Sequence, residues 1–404
     1  MEQQCQSPCL SSDIQRPGRL KLTATPDLGK ISCIKYAHDP VPKASSFLSP
    51  KDIPFPQRET NHQNKKHAIR LRPRQSNLPY RCTLDAAHES SFWRSGLEAS
   101  NRLIELLADD RSITDIVVGK GETMARLAQR ELRPGFEHRF CKATSYMYPF
   151  CDEERTKLLA TSMVMMFLFD DKGEETSEST LKPFVEDFVN RINHSVLGSP
   201  SDSQLQQHID SVIDGFRKAD SIAGSAGHEV IKAMSQAFRR MRPERQFGSL
   251  RQYLEFRHDN VGANYVLAAV KFSLGSSVEI SDTRIAKYLS LIKDHLAIIN
   301  DMASFDKEKR HFDDGSSKDL INIVDVIQRI LSLADTESAK TMAYAYQLQT
   351  EAWLIEELQR LKEEEDLDVE QWNYLEATYV CAAGNAFFSM TSSRYGGEAA
   401  RIHA

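Results

Sequence analysis

The chain has 404 residues, a formal net charge of −6 and 41% hydrophobic residues, enough for one large domain or two ordinary ones. A mildly acidic balance excludes a general nucleic-acid binder, which needs a basic stripe. It leaves room for an anionic small molecule held by a few local cations.

Ten of the fifteen prolines fall within residues 1–80. Proline removes a backbone donor and stops helices, so this stretch reads as a disordered tail without a core of its own. Its start, Met1-Glu2-Gln3-Gln4-Cys5, lacks the basic and apolar regions of a signal peptide. From about residue 85 to 404 the apolar positions recur near every 3.6 residues, as in buried amphipathic helices. The predicted helices, in chain order, span 92–107, 113–128, 152–169, 181–197, 203–218, 229–241, 250–257, 261–274, 281–300, 320–336, 341–361 and 369–394. Asp152, Glu153 and Glu154 sit in the first turn of the third, where negative charge suits the helix dipole. No alternating strand, repeat or Asn-Gly hairpin stands out. No run of 18 apolar residues occurs, so no membrane span is expected. Seven cysteines at 5, 9, 33, 82, 141, 151 and 381 form no CxxC pair. They read as reduced thiols of a cytoplasmic protein, and zinc is not suggested.

Two oxygen-rich stretches concentrate the chemistry. Asn300, Ser304 and Glu308 stand at i, i+4 and i+8, on one face of a helix. Amide, hydroxyl and carboxylate oxygens suit a hard cation such as Mg²⁺. About 130 residues upstream, Asp170, Asp171 and Glu174 form a second cluster, with Asp170 and Glu174 one turn apart. Two such faces suit several Mg²⁺ ions clamped on a diphosphate. Phe167, three residues before Asp170, points along the same face. Other charged runs, at 361–366, 239–245 and 313–314, read as solvated loops and helix ends.

The pair of motifs resembles that of the class I terpene synthases. Asp170, Asp171 and Glu174 match the family's Asp-Asp-x-x-Asp/Glu motif. Residues 300–308 match its Asn-Asp-x-x-Ser-x-x-x-Glu motif, with Asp301 in place. The resemblance covers residues 85–404 and implies an all-α helical bundle with a central active-site cavity. It also implies three Mg²⁺ ions, held by Asp170, Glu174, Asn300, Ser304 and Glu308, and a lid that closes on metal and diphosphate. Asp171 would make an outer contact to a diphosphate-binding arginine.

Four donors follow from the same resemblance. Lys307 precedes Glu308, where fungal relatives carry a diphosphate-contacting lysine. Arg394-Tyr395 lies 94 residues after Asn300 and matches the family's Arg-Tyr pair. Arg257, 43 residues before Asn300, stands at the diphosphate-sensing arginine. After it, residues 258–262 are expected to break the helix. Alone, Arg257 would read as a surface salt bridge. Phe388 replaces a tryptophan of many fungal relatives and is expected to line the pocket with Phe167.

The implied activity is Mg²⁺-dependent cyclisation of farnesyl diphosphate to a sesquiterpene hydrocarbon or alcohol, by a monomer or homodimer. The alternatives are a monoterpene or diterpene synthase, a chain-elongating prenyltransferase, and a non-catalytic helical interaction protein.

Overall fold

A computed structural model of the protein describes residues 36–43, 49–50, 55, 63–110, 117–118, 122–132, 136–139, 141–175, 186, 189–190, 192, 203–223, 226–239, 247–317 and 319–396. Helices dominate: α1 Trp93–Asp109, α2 Met124–Glu131, α3 Cys141–Met147, α4 Glu153–Glu175, α5 Gln204–Ala223, α6 Ala226–Phe238, α7 Leu250–Asn260, α8 Ala263–Leu274, α9 Ala286–Asp313, α10 Ile323–Ile330, α11 Thr336–Glu364, α12 Val369–Thr391 and α13 Ser393–Gly396.

The layering follows from which helices bury more than one stripe. Residues 371 and 372 of α12, and nearly every residue from 374 to 391, are buried. A helix apolar all round belongs in the interior, and α12 packs against α3, α8 and α9. Its start is fixed by a capping box between Asp368 and Gln371, which satisfies two orphan amides. Midway, a Cβ at Gly384 would sit 2.0 Å from the Tyr146 carbonyl. Only glycine lets α3 and α12 approach this closely. α9 is likewise buried over most of its length and also packs on α11. α1 lies on α4, and α5 and α6 complete that side. A second apolar cluster joins Tyr253 and Leu254 of α7, Met302 and Phe305 of α9, and Ile323 and Ile327 of α10.

Several boundaries differ from expectation. Two antiparallel two-stranded ladders appear, Ala68–Arg70 with His88–Ser90 and Val117–Val118 with Glu122–Thr123. The second falls inside the helix expected over 113–128, of whose described residues only those from Met124 are helical. There Thr123 caps α2 by accepting from the Arg126 amide. α9 runs thirteen residues past Asn300, because Lys309 pairs with Asp313 in its last turns and the segment contains no breaker. The helix expected over 320–336 stops at Ile330, and Asp335 caps the start of the next. The helix expected over 181–197 lies almost wholly outside the described residues.

The expected boundary near residue 80 also needs correction for the described parts of the tail. Ala37, Val41, Leu71 and Tyr80 are buried. The Arg81 guanidinium grips both oxygens of Asp39, and the His38 amide donates to the Met390 carbonyl at 2.9 Å. Prolines bar a helix here, but an extended strand can still bury alternate side chains against a body already folded.

Candidate active site

The site is built where α7, α9, α12 and α13 meet. α7 and α8 are separated by a break at Val261 and Gly262, with Gly262 at φ +75°. Glycine takes that left-handed conformation without penalty, so the break expected after Arg257 is present. Arg257 at the end of α7 is buried, which overturns the surface reading. Its Nε donates to Asp301 Oδ1 at 2.8 Å and its Nη2 to Asn300 Oδ1 at 3.1 Å. Asn300 in turn donates from Nδ2 to the Tyr395 hydroxyl at 3.3 Å. An arginine, an amide and a phenol from three helices therefore converge.

Asp301 is the anchor of this cluster. It lies about 100° around α9 from Asn300 and is fully buried. The Tyr253 hydroxyl and the Ile323 amide, the latter at 2.9 Å, donate to its Oδ2. That amide opens α10, so the carboxylate also sits at a helix N-terminus, where negative charge is favoured. Burial pushes the Asp301 carboxyl upward, while Arg257 and Tyr253 hold it back. Two turns earlier Asp294 repeats the pattern, accepting two bonds from Arg251 and one from His258 at 2.6 Å. α7 is thus pinned to α9 by two carboxylates on one face.

Glu308 has an oxygen 2.9 Å from the Asn322 amide nitrogen, and the same amide nitrogen donates to the Asp301 carbonyl at 2.8 Å. Burial raises the Glu308 carboxyl, and nearby Asp301 raises it further, against Arg257, Ser304 and Asn322. Ser304 is buried, with its hydroxyl 3.4 Å from the Asp301 carbonyl. A carboxylate disfavoured in this way gains from a cation beside it. Together with the oxygens of Asn300 and Ser304, the donor set fits Mg²⁺. Lys307 is half-buried next to Glu308.

On the facing side, α4 extends to Glu175, so Asp170, Asp171 and Glu174 lie on one continuous helix as expected. Their side chains lie outside the described residues. Phe167 on the same helix is described. The Arg394 guanidinium stacks 4.9 Å from its ring centroid, and the Phe388 ring lies 5.9 Å away. Phe388 also meets Tyr395 edge-on at 6.1 Å. The short helix α13 starts after Ser392, which breaks the helix expected to run through Arg394. This break turns Arg394 and Tyr395 onto Phe167 and Phe388.

Below these groups lies a cavity whose apolar lining includes Met163, Met166, Phe167, Leu296 and Phe388, with Arg257, Asn300 and Tyr395 at its polar end. Residues from distant parts of the chain thus form one chamber, apolar inside and cationic at one end.

A second polar cluster lies elsewhere on α9. Cys82, His295 and Glu351 offer ligand atoms within 4.8 Å of one another and are buried, a set capable of holding a metal. His295 sits about 140° around α9 from Asn300. Thiol and imidazole select softer ions than Mg²⁺, so this cluster is distinct from the oxygen face. Glu351 already accepts from His295 at 3.1 Å, Gln347 at 2.7 Å and the Thr83 amide at 2.7 Å. These bonds fasten the segment around Thr83 to α9 and α11. No local spacing announces a cluster spread over 82, 295 and 351.

Comparison with known proteins agrees with this arrangement. The family profile described as "Terpene synthase family 2, C-terminal metal binding" matches residues 161–354. The matched segment is the metal-binding part of that family, and the similarity to its class I members extends over most of the chain. It is 25% identical over 369 residues to Terpene cyclase 6 of Gibberella fujikuroi, covering 89% of this chain and 93% of the relative. It is 23% identical to Terpene cyclase aneC of Aspergillus aculeatus, covering 89% and 77% respectively. Among solved structures, aristolochene synthase from Penicillium roqueforti superposes with a TM-score of 0.58 at 17% identity, over 74% of this chain and 95% of that one. Germacradien-4-ol synthase from Streptomyces citricolor gives 0.51 at 16%, over 73% and 94%. The protein is accordingly an all-α enzyme with class I terpene-cyclase chemistry on an isoprenoid diphosphate. Among the described residues no helix is long and apolar enough to cross a membrane.

Proposed function

We propose that this terpene synthase ionises farnesyl diphosphate and cyclises the C15 chain to a sesquiterpene. The observation that carries the reading is the convergence of Arg257, Asn300 and Tyr395 at the polar end of an aromatic-lined cavity. Asn300, Ser304 and Glu308 on α9, with Asp170 and Glu174 on α4, are the residues to hold three Mg²⁺ ions. Asp171 pairs with a diphosphate-binding arginine. The ions supply Lewis-acid neutralisation of the departing diphosphate.

The protein's own groups do the rest. Arg257, Lys307, Arg394 and Tyr395 donate to diphosphate oxygens from fixed positions, so little reorganisation is needed as charge develops. The Asp301 carboxylate orients Arg257 before substrate arrives. Phe167 and Phe388 offer π faces to the allylic cation, and the methionines and leucines around them exclude water. Final proton loss needs no protein base, because the released diphosphate can accept the proton.

Support for the C15 chain comes from the sesquiterpene-like Arg-Tyr and Lys-Glu details of the sequence and from the fold shared with aristolochene synthase. The test is incubation of purified protein with geranyl, farnesyl and geranylgeranyl diphosphates, with Mg²⁺ or EDTA, and analysis by gas chromatography–mass spectrometry. A Mg²⁺-dependent cyclic C15 product is expected. A C10 or C20 product alone would move the substrate assignment, and no product from folded protein would refute the reading.

A further inference from the structure

We infer that Asn385 is a specificity-determining residue, whose carboxamide oxygen steers the carbocation inside the cavity. The inference rests on the cyclase reading above and concerns a polar side chain, among the described cavity-lining residues, to which this reading gives no role.

Asn385 lies on α12, one helical turn before Phe388, and lines the same cavity. It is 8% exposed. Its Nδ2 approaches the Leu296 carbonyl at 3.4 Å, longer than an ordinary N–H···O bond. Among the described residues its Oδ1 accepts no hydrogen bond. Leu296 is one turn before Asn300 on α9, so Asn385 stands about one turn deeper than the diphosphate cluster. The other polar lining groups are accounted for. Arg257, Asn300 and Tyr395 belong to the diphosphate end, and the Tyr265 hydroxyl is 2.7 Å from the Ser162 hydroxyl.

A carboxamide oxygen that faces the cavity without a protein donor loses its compensation when an apolar chain displaces water from that space. It becomes favourable when a cation occupies the space. The oxygen is the negative end of a dipole held by helix packing, in surroundings of low dielectric where such interactions are strong. The dipole lowers the energy of cations whose charge sits on the carbons nearest the amide. It does so without forming a bond, so the branch taken among competing cyclisations and shifts depends on it. The aromatic rings lie a turn away toward the diphosphate, so their preference and that of Asn385 act on different parts of the chain.

The test compares product distributions of wild type, Asn385→Leu and Asn385→Asp with farnesyl diphosphate and Mg²⁺, with folding checked by circular dichroism. Leucine keeps the shape and removes the dipole. The ratio of the main product to all others is expected to change about tenfold, the equivalent of about 1.4 kcal/mol between competing barriers. Aspartate strengthens the negative end and should move the ratio the opposite way. A wild-type distribution from either folded variant would overturn the inference. Shifts in the same direction from both would also overturn it, since they would trace to packing. Absence of any product from wild type would overturn the cyclase reading and this inference with it.

Discussion

Replacing Asp301 with asparagine removes one negative charge and almost no volume, so it isolates the electrostatic role of the cluster's anchor. The wild-type carboxylate is fully buried and accepts from Arg257 at 2.8 Å, from the Ile323 amide at 2.9 Å and from the Tyr253 hydroxyl. An asparagine can keep its oxygen toward Arg257, but its NH₂ then faces the Tyr253 hydroxyl and the Ile323 N–H. The hydroxyl can rotate and accept; the backbone N–H cannot, and is left unpaired. Losing one partner of a buried ion pair costs about 3–5 kcal/mol. Burial pushes the Asp301 carboxyl up against the pull of Arg257 and Tyr253, so removing the charge offsets part of that cost. The ion pair with Arg257 and the bond from the Ile323 amide are lost with it, and the net loss is expected near the lower end, about 3 kcal/mol. Urea unfolding in EDTA, followed by circular dichroism, measures this directly. Turnover should fall about a hundredfold, the order expected when a positioning group moves by an ångström. A stability loss under about 1 kcal/mol, the level of a surface ion pair, with normal turnover, would refute the anchoring role.

Three further outcomes are expected. In EDTA, Glu308→Gln should be more stable than wild type near neutral pH, because a carboxyl raised in the folded state loses stability as pH rises from its ordinary value through its raised one. The difference should vanish at acid pH, where both folded and unfolded carboxyls are protonated. Mg²⁺ with inorganic diphosphate should raise the melting temperature of wild type and not of this variant, and an equal rise in both would remove Glu308 from the metal site. Phe388→Trp enlarges a ring already 5.9 Å from Phe167 and should redistribute products more than it lowers total turnover; an identical gas chromatogram would place Phe388 outside the reacting cavity. Deletion of residues 1–75 takes away the Asp39–Arg81 pair and buried Leu71. The truncated protein should melt several degrees lower, by an amount consistent with about 2–4 kcal/mol, and an unchanged melting curve would make the tail dispensable.

Much of the fold was legible because long buried helices repeat their apolar positions every three or four residues. The boundaries that were missed are those set by side-chain caps, such as Asp335, or by a short ladder at 117–123. There the local pattern is weak and tertiary packing chooses. The packed stretches at 36–43 and 63–80 were missed for a related reason, since proline-rich composition reports what a segment does alone and not what it can lean on.

For the site, the sequence by itself determined the order and spacing of three oxygen-bearing side chains on α9 and the family motif they resemble, since i, i+4 and i+8 on a helix is a local geometry. Through that resemblance, their offsets from Asn300 also singled out Arg257 and Arg394-Tyr395 as candidates. Only the tertiary structure decided that Arg257 is buried, that Asp301 serves as its anchor through Tyr253 and Ile323, and that Asn385 faces the cavity below Phe388. Each of those depends on helices far apart in the chain meeting at one point, and a contact between residue 253 and residue 301, or between 385 and 296, leaves no period in the sequence to read.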